Sequence, residues 1–234
     1  MEPHERELLG AIAARASELC AGHDPAHDVA HVRRVVNNAK TILKHEDTAR
    51  VDEFVTLAAC WLHDIVQLPK GSGPPGESAR RSAAQALEIL AGLGVDPDRA
   101  RHIADAVRTH SYSGGERPAT LEAAIVQDAD RLDALGAVGL ARMFAVAGEL
   151  RSSLYHPDDP LARDRPLDDR HYALDHIDAK LLNLPALMTT ATARRLAEVR
   201  AAYLLEFREQ LIRELVVGDR ESISGESRRD DCGG

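Results

Sequence analysis

Histidine and aspartate residues recur in this sequence in groupings that could bind a metal ion. In chain order they are His31, then the adjacent His63 and Asp64, then Asp128, Asp130 and Asp133. Imidazole nitrogens together with carboxylate oxygens suit octahedral divalent ions, whereas a closed structural zinc site more often uses cysteine. We favour Mn²⁺, with Mg²⁺, Fe²⁺, Co²⁺ or Ni²⁺ as alternatives. An ion with open positions can polarise a substrate oxygen and lower the pKa of its bound water, so such a group of residues suits metal-assisted hydrolysis.

These residues must be positioned by helices. Aromatic residues make up only 3% of the chain, alanine and leucine are abundant, and no segment alternates like a strand. We therefore predict an all-α fold, a compact multi-helix bundle. Asp24-Pro25 and Asp96-Pro97 are predicted helix starts. The apolar spacing predicts helices over 5–21, 25–46, 50–67, 78–93, 97–112, 119–134, 136–150, 170–183 and 190–217. Two polar connections, 68–78 and 152–169, are long enough to border a site.

Helical spacing places some of the candidate ligands but not all of them. His31 lies on the edge of an apolar stripe, and His63-Asp64 falls at the end of the third helix. Asp128 and Asp130 each share a face with apolar residues, so periodicity alone cannot choose between them. Taken singly, each residue is better explained by a buried hydrogen bond or an ion pair, and only the combination favours a metal.

Three motifs resemble those of HD-domain phosphohydrolases, namely HDVAHVRRV (27–35), LAACWLHDI (57–65) and QDADRLDALGA (127–137). The resemblance covers about residues 20–210 and is strongest to a bacterial subgroup of small HD hydrolases that includes nucleotide pyrophosphohydrolases. It assigns the last ligand to Asp130 rather than Asp128. It therefore implies an HD-domain bundle with a metal held by His31, His63, Asp64 and Asp130, Asp64 being catalytic as well.

Substrate phosphates would need cationic partners near this ion. The candidates are Lys70, Arg80, Arg131 and Arg165, with His27 one turn before His31. Each could instead be a solvated surface charge. His110 could contact phosphate, donate a proton or bind a second ion, or it could simply interact with a helix C-terminus. Asp175, His176 and Lys180 also belong to a stretch that resembles the subgroup, without an assigned role.

The resemblance implies hydrolysis of nucleotide phosphate bonds, and we expect a nucleoside triphosphate to give a monophosphate and pyrophosphate. The alternatives are a phosphomonoesterase similar to 5′-nucleotidases, a di-iron oxygenase of organophosphonates, and a degenerate module that binds nucleotide without turnover. The acidic pair typical of alarmone hydrolases is missing, because Ile65-Val66-Gln67 follows the His-Asp pair. The Gly-Tyr-Pro signature of cyclic-dinucleotide phosphodiesterases is also missing.

Composition limits the setting and the partners. The net charge of −9 argues against nucleic-acid binding, and no apolar run is long enough to cross a membrane. The unpaired cysteine spacing favours a reducing, cytoplasmic setting, and the oligomeric state stays open, with a homo-oligomer as one option. We predict one catalytic domain over 1–217 and, because residues 218–234 contain few apolar side chains, a flexible C-terminal tail there.

Overall fold

Nine α-helices make up most of the described part of the chain, which confirms the predicted all-α bundle. The structure is a computed structural model that describes residues 1–24, 26–46, 50–68, 73–111 and 114–220, the last five without side chains. The helices are α1 Pro3–Cys20, α2 Val29–Leu43, α3 Glu53–Leu62, α4 Glu77–Gly92, α5 Pro97–Thr109, α6 Leu121–Asp133, α7 Gly136–Leu150, α8 Asp175–Ala179 and α9 Ala191–Arg220. Short 3-10 turns follow α8 at Leu181–Asn183 and Pro185–Leu187.

The centre of the bundle is formed by α2, α3, α5 and α6, which pack against one another. Helix α1 covers α3, α4 packs on α5, and α9 packs on α6 and α7. Many core positions are small, and Ala39, Ala58, Ala86 and Ala129 are fully buried. Small side chains let helix axes approach closely, so a core with few aromatic residues can still reach native density.

Helix capping explains several of the helix starts. Asp96 caps α5 as predicted, because its carboxylate accepts hydrogen bonds from two first-turn N–H groups. The predicted start of the second helix at Asp24 is wrong. The Asp24 carboxylate instead accepts from the backbone N–H of Ala26 within a turn. Asp28 is the cap of α2 and accepts from the backbone N–H of His31, so the helix begins four residues later than predicted.

Three other boundaries also differ from the sequence prediction. Helix α3 ends at Leu62, so His63 is its C-cap and Asp64 lies beyond it, whereas the spacing predicted helix to residue 67. The predicted helix over 170–183 is reduced to α8 and a 3-10 turn. The predicted tail over 218–234 lies outside the described residues apart from 218–220, which continue α9. No described helix is both long enough and apolar enough to cross a membrane.

Candidate metal centre

The predicted metal ligands come from three helices that meet at the centre of the bundle. His31 lies in the first turn of α2, His63 and Asp64 directly follow α3, and Asp130 lies in the last turn of α6. His31 and His63 are fully buried, and the side chain of Asp64 is 11% exposed. Because α2, α3 and α6 pack on one another, residues that are distant in sequence converge here.

The ligand atoms lie close enough to share one ion. His31 Nε2 is 3.1 Å from His63 Nε2, 3.5 Å from Asp64 Oδ2 and 3.6 Å from Asp130 Oδ1. One atom each of His31, His63 and Asp130 fall within 4.8 Å of one another, as do atoms of His63, Asp64 and His110. Such separations are typical of ligands around one divalent ion, whose bonds to nitrogen and oxygen are about 2.0–2.2 Å.

Hydrogen bonds at Nδ1 orient the imidazoles toward this point. His31 Nδ1 donates to Asp133 Oδ2 at 2.8 Å, and His63 Nδ1 donates to the carbonyl oxygen of Cys60 at 2.8 Å. With Nδ1 protonated, each neutral ring presents a nitrogen lone pair at Nε2. Two lone pairs 3.1 Å apart repel each other unless a cation lies between them. The donor set therefore fits a divalent metal ion.

The protonation equilibria of the cluster show the same demand for positive charge. Burial opposes ionisation of Asp64, yet the adjacent imidazoles of His63, His110 and His31 hold the pKa of this carboxyl well below its usual range. Burial also opposes ionisation of Asp130, and the same three imidazoles lower its pKa too. Two buried carboxylates that stay ionised require a cation beside them, which protons or a metal can supply.

The histidines themselves are shifted in different directions. Burial lowers the pKa of His63 to about 4, so this ring is neutral and ready to bind a metal at neutral pH. Burial opposes protonation of His31, but its hydrogen bonds to Asp133 and Asp64 raise its pKa. His110 is buried as well, yet its contact with Asp64 raises its pKa to about 9.

His110, predicted as a catalytic residue, lies beside the cluster. It is the C-cap of α5, its Nδ1 donates to the carbonyl oxygen of Val107 at 2.6 Å, and its Nε2 is 3.4 Å from Asp64 Oδ1. Its ring packs edge-on against that of His63, with centroids 4.9 Å apart. His110 is therefore positioned either to donate a proton or to serve as a further metal ligand.

The cluster opens into a cavity of about 620 Å³. Asp64, Asp130 and His110 line it, together with the N-terminal end of α4 and Leu68 and Gly73 of the first long connection. Such a volume falls within the range of about 300–1,000 Å³ typical of small-molecule sites. Several basic side chains also line the cavity, namely His27, Arg131, Arg142, Arg170 and Lys180.

The structure places some of the predicted substrate contacts in the cavity lining and others outside it. His27 and Arg131 line the cavity, and Lys70 lies outside the described residues. Arg80 and Arg165, which were also predicted as substrate contacts, are not among the described residues that line the cavity.

Both of those arginines are hydrogen-bonded within the fold, Arg80 to two residues that themselves line the cavity. Arg80 donates to Glu77 and to the carbonyl oxygen of Pro75. Arg165 forms a bidentate pair with the buried carboxylate of Asp175, at 2.5 and 2.8 Å. The guanidinium of Arg165 therefore fastens the second long connection to α8, and that connection does not border the cavity within the described residues.

Sequence reasoning grouped Asp133 with the candidate ligands without giving it a supporting role, and it missed Arg34 and Arg142. Asp133 and Arg34 bind each other beside His31, and Arg142 of α7 reaches both Asp133 and the cavity. Asp133 stands three residues after Asp130 on α6, which was the only available signal. Asp128, the other candidate ligand, faces away from the cluster and accepts hydrogen bonds from the backbone N–H groups at the start of α9.

The helical fold and the cluster of four candidate ligands define a class of metal-dependent enzymes, and comparison with known proteins identifies that class. The model of the HD domain family matches residues 28–135, which contain all four predicted ligands. The YpgQ protein of Bacillus subtilis is 34% identical over 202 residues, covering 84% of this chain and 88% of YpgQ. The chain belongs to the HD-domain family, and its class is that of the metal-dependent phosphohydrolases.

Solved structures give the same result. A crystal structure of Bacillus subtilis YpgQ in complex with ADP is similar with a TM-score of 0.71 at 31% identity, covering 90% of this chain and 96% of that one. An HD-superfamily hydrolase from Bacillus thuringiensis is similar with a TM-score of 0.66 at 30% identity, covering 90% and 97%. The architecture of most of the bundle is thus shared with these proteins.

Proposed function

We propose that this protein hydrolyses a phosphate bond of a nucleotide at the metal centre, and that it releases pyrophosphate from a nucleoside triphosphate. The observation that carries the proposal is the juxtaposition of four metal-ligating side chains with a cavity lined by basic residues. The ADP complex of YpgQ supports a nucleotide as the class of ligand. The ion we propose is Mn²⁺, since the mixed nitrogen and oxygen donors suit it.

His31, His63, Asp64 and Asp130 would hold the ion. A divalent ion bound there supplies Lewis acidity toward a phosphoryl oxygen and lowers the pKa of water. The two carboxylates offset the charge of the ion, and their low pKa values keep them ionised at neutral pH. The Nδ1 hydrogen bonds keep both imidazole rings directed at the ion, so little reorganisation is needed when it binds.

His110 would donate a proton to the leaving group. Its pKa of about 9 keeps the ring protonated at neutral pH, and it lines the same cavity as Asp64 and Asp130. A protonated imidazole within reach of a phosphate oxygen can donate as that oxygen departs. Arg131 and Lys180 are the basic residues that we propose to contact the remaining phosphates, since both line the cavity.

The test is a Mn²⁺-supplemented panel of nucleotides with identification of the products. Pyrophosphate plus monophosphate is the expected outcome, whereas orthophosphate released from a monophosphate would indicate a phosphomonoesterase instead. The variant Asp64→Ala should lose turnover by at least about 100-fold, which is typical when a metal ligand or its support is removed. Asp105→Ala removes an exposed carboxylate from α5 and serves as the matched control. Full activity of Asp64→Ala, or no turnover of any nucleotide by the unaltered protein, would refute the proposal.

A further inference from the structure

Asp133 is a buried carboxylate that lies between the metal centre and the basic lining of the cavity. It is the last residue of α6 and only 2% exposed. Its oxygens accept from His31 Nδ1 at 2.8 Å, from two nitrogens of Arg34 at 2.8 and 3.0 Å, and from Arg142 Nη1 at 3.0 Å. Two guanidinium groups therefore compensate one carboxylate, and an imidazole is held at the same place.

The contact to His31 differs in kind from those of His63 and His110. His63 and His110 donate through Nδ1 to main-chain carbonyl oxygens of their own helix ends. His31 donates to a side chain on a different helix. Because that hydrogen bond fixes which nitrogen carries the proton and where Nε2 points, the orientation of His31 toward an ion depends on Asp133.

The contact to Arg142 connects the same carboxylate to the cavity. Arg142 Nη1 and His31 Nδ1 approach the same oxygen, Oδ2 of Asp133. Arg142 lines the 620 Å³ cavity, and its buried Nε has no hydrogen-bond partner within the described residues. Arg34 shares Asp133 but is not among the described residues that line this cavity, and it lines a separate, smaller one.

We propose that Asp133 is a positioning residue with two roles: it orients His31 toward the metal, and it holds Arg142 in the cavity, where the guanidinium binds a substrate phosphate. This inference rests on the proposed function. It makes separable predictions for the two residues. Metal affinity depends on Asp133, whereas phosphate affinity depends on both Arg142 and Asp133.

Two binding measurements without turnover test this division. Calorimetric titration of the metal-free protein with Mn²⁺ gives metal affinity, and titration of the Mn²⁺-saturated protein with ADP gives phosphate affinity. Asp133→Asn should weaken Mn²⁺ binding about 10- to 100-fold, the range found for outer partners of metal ligands. Arg142→Met should leave Mn²⁺ binding within about threefold and weaken ADP binding about 10-fold or more, as for loss of one charge-assisted contact. The matched control Arg101→Met removes an exposed arginine of α5 that pairs with Asp98 and is not among the described residues that line the cavity, and it should change neither affinity by more than about threefold.

A second readout separates positioning from general stability. The visible absorption spectrum of the Co²⁺-loaded protein reports ligand geometry, and it should change in Asp133→Asn but not in Arg142→Met. If Asp133→Asn does not fold, Asp133→Glu keeps the charge while displacing it and should weaken Mn²⁺ binding in a folded protein. Unchanged Mn²⁺ affinity in a folded Asp133 variant, or unchanged ADP affinity in Arg142→Met, would overturn the inference. If the unaltered protein bound no Mn²⁺, the proposed function would fail, and this inference with it.

Discussion

Asp128 and Asp130 are two residues apart on α6, yet the structure predicts opposite consequences for their loss. Asp128 is fully buried and accepts from the backbone N–H groups of Thr189 and Thr190 and from the Thr190 hydroxyl, at 2.7–3.1 Å. Asp130 approaches the imidazoles of His31 and His63 at 3.6 and 3.9 Å, beyond hydrogen-bond length. Alanine at 128 should destabilise the fold, and alanine at 130 should remove metal binding.

The magnitudes follow from these contacts. Asp128→Ala leaves three donors without their acceptor, a loss of about 3 kcal/mol at about 1 kcal/mol for each. Removing the carboxylate offsets part of this loss of stability, because burial raises the pKa of Asp128 and so disfavours its ionised form. We expect a net loss of about 2 kcal/mol, which lowers the melting midpoint by about 4–8 °C in a domain of this size. Asp130→Ala relieves repulsion from Asp64 in the metal-free protein and should change its stability by less than about 1 kcal/mol.

Thermal melts in EDTA and in Mn²⁺ measure both effects. With the ion about 100-fold above its dissociation constant, the unaltered protein and Asp128→Ala should each gain about 2.7 kcal/mol. Asp130→Ala should show no such gain. The reasoning fails if Asp130→Ala melts as early as Asp128→Ala in EDTA, or if it is stabilised by Mn²⁺ as much as the unaltered protein is.

Three further predictions concern pH, packing and the second long connection. In the metal-free protein, the free energy of unfolding should rise from about pH 4 to 6.5, because in this range His63 is protonated in the unfolded chain but not in the fold. It should then fall toward about pH 9, because the raised pKa of His110 stabilises the fold only while that ring stays protonated. Urea midpoints across this range measure it, and His110→Gln should reduce the fall, since the raised pKa of His31 still contributes to it. Gly139→Ala would place Cβ against the backbone oxygen of Ala134, so we expect the free energy of unfolding to fall by about 1–3 kcal/mol, seen as a lower urea midpoint. An unchanged midpoint would contradict the close approach. Arg165→Ala leaves the buried carboxylate of Asp175 without its guanidinium and should speed proteolysis within 152–169, while cleavage at the unaltered rate would contradict that anchoring role.

Local patterns predicted much of the fold, since caps and apolar periodicity act within one helix. Asp96-Pro97 marked the start of α5 correctly because the cap bonds only to its own first turn. Asp24 was predicted as the start of α2 in place of Asp28, although both accept from a backbone N–H group a few residues later. Only packing of α2 against its neighbours determines which of these local hydrogen bonds begins the helix.

The site could be predicted only where its residues form a motif. Periodicity left Asp128 and Asp130 tied because α6 is buried on both faces, one toward the cluster and the other toward α9. The resemblance to HD-domain proteins was needed to select Asp130. Arg142 and Arg165 could not be assigned from sequence, because their partners Asp133 and Asp175 are chosen by the meeting of separate segments.

The different supports of the histidines affect how much the surrounding sequence can change. The rings of His63 and His110 are held by the carbonyl oxygens of Cys60 and Val107, which every amino acid provides. Substitution at positions 60 and 107 is therefore limited only by how the new side chain packs. His31 instead requires a carboxylate at position 133. In a saturation library selected for Mn²⁺ binding, position 133 should therefore tolerate few replacements, while positions 60 and 107 should accept a range of apolar side chains.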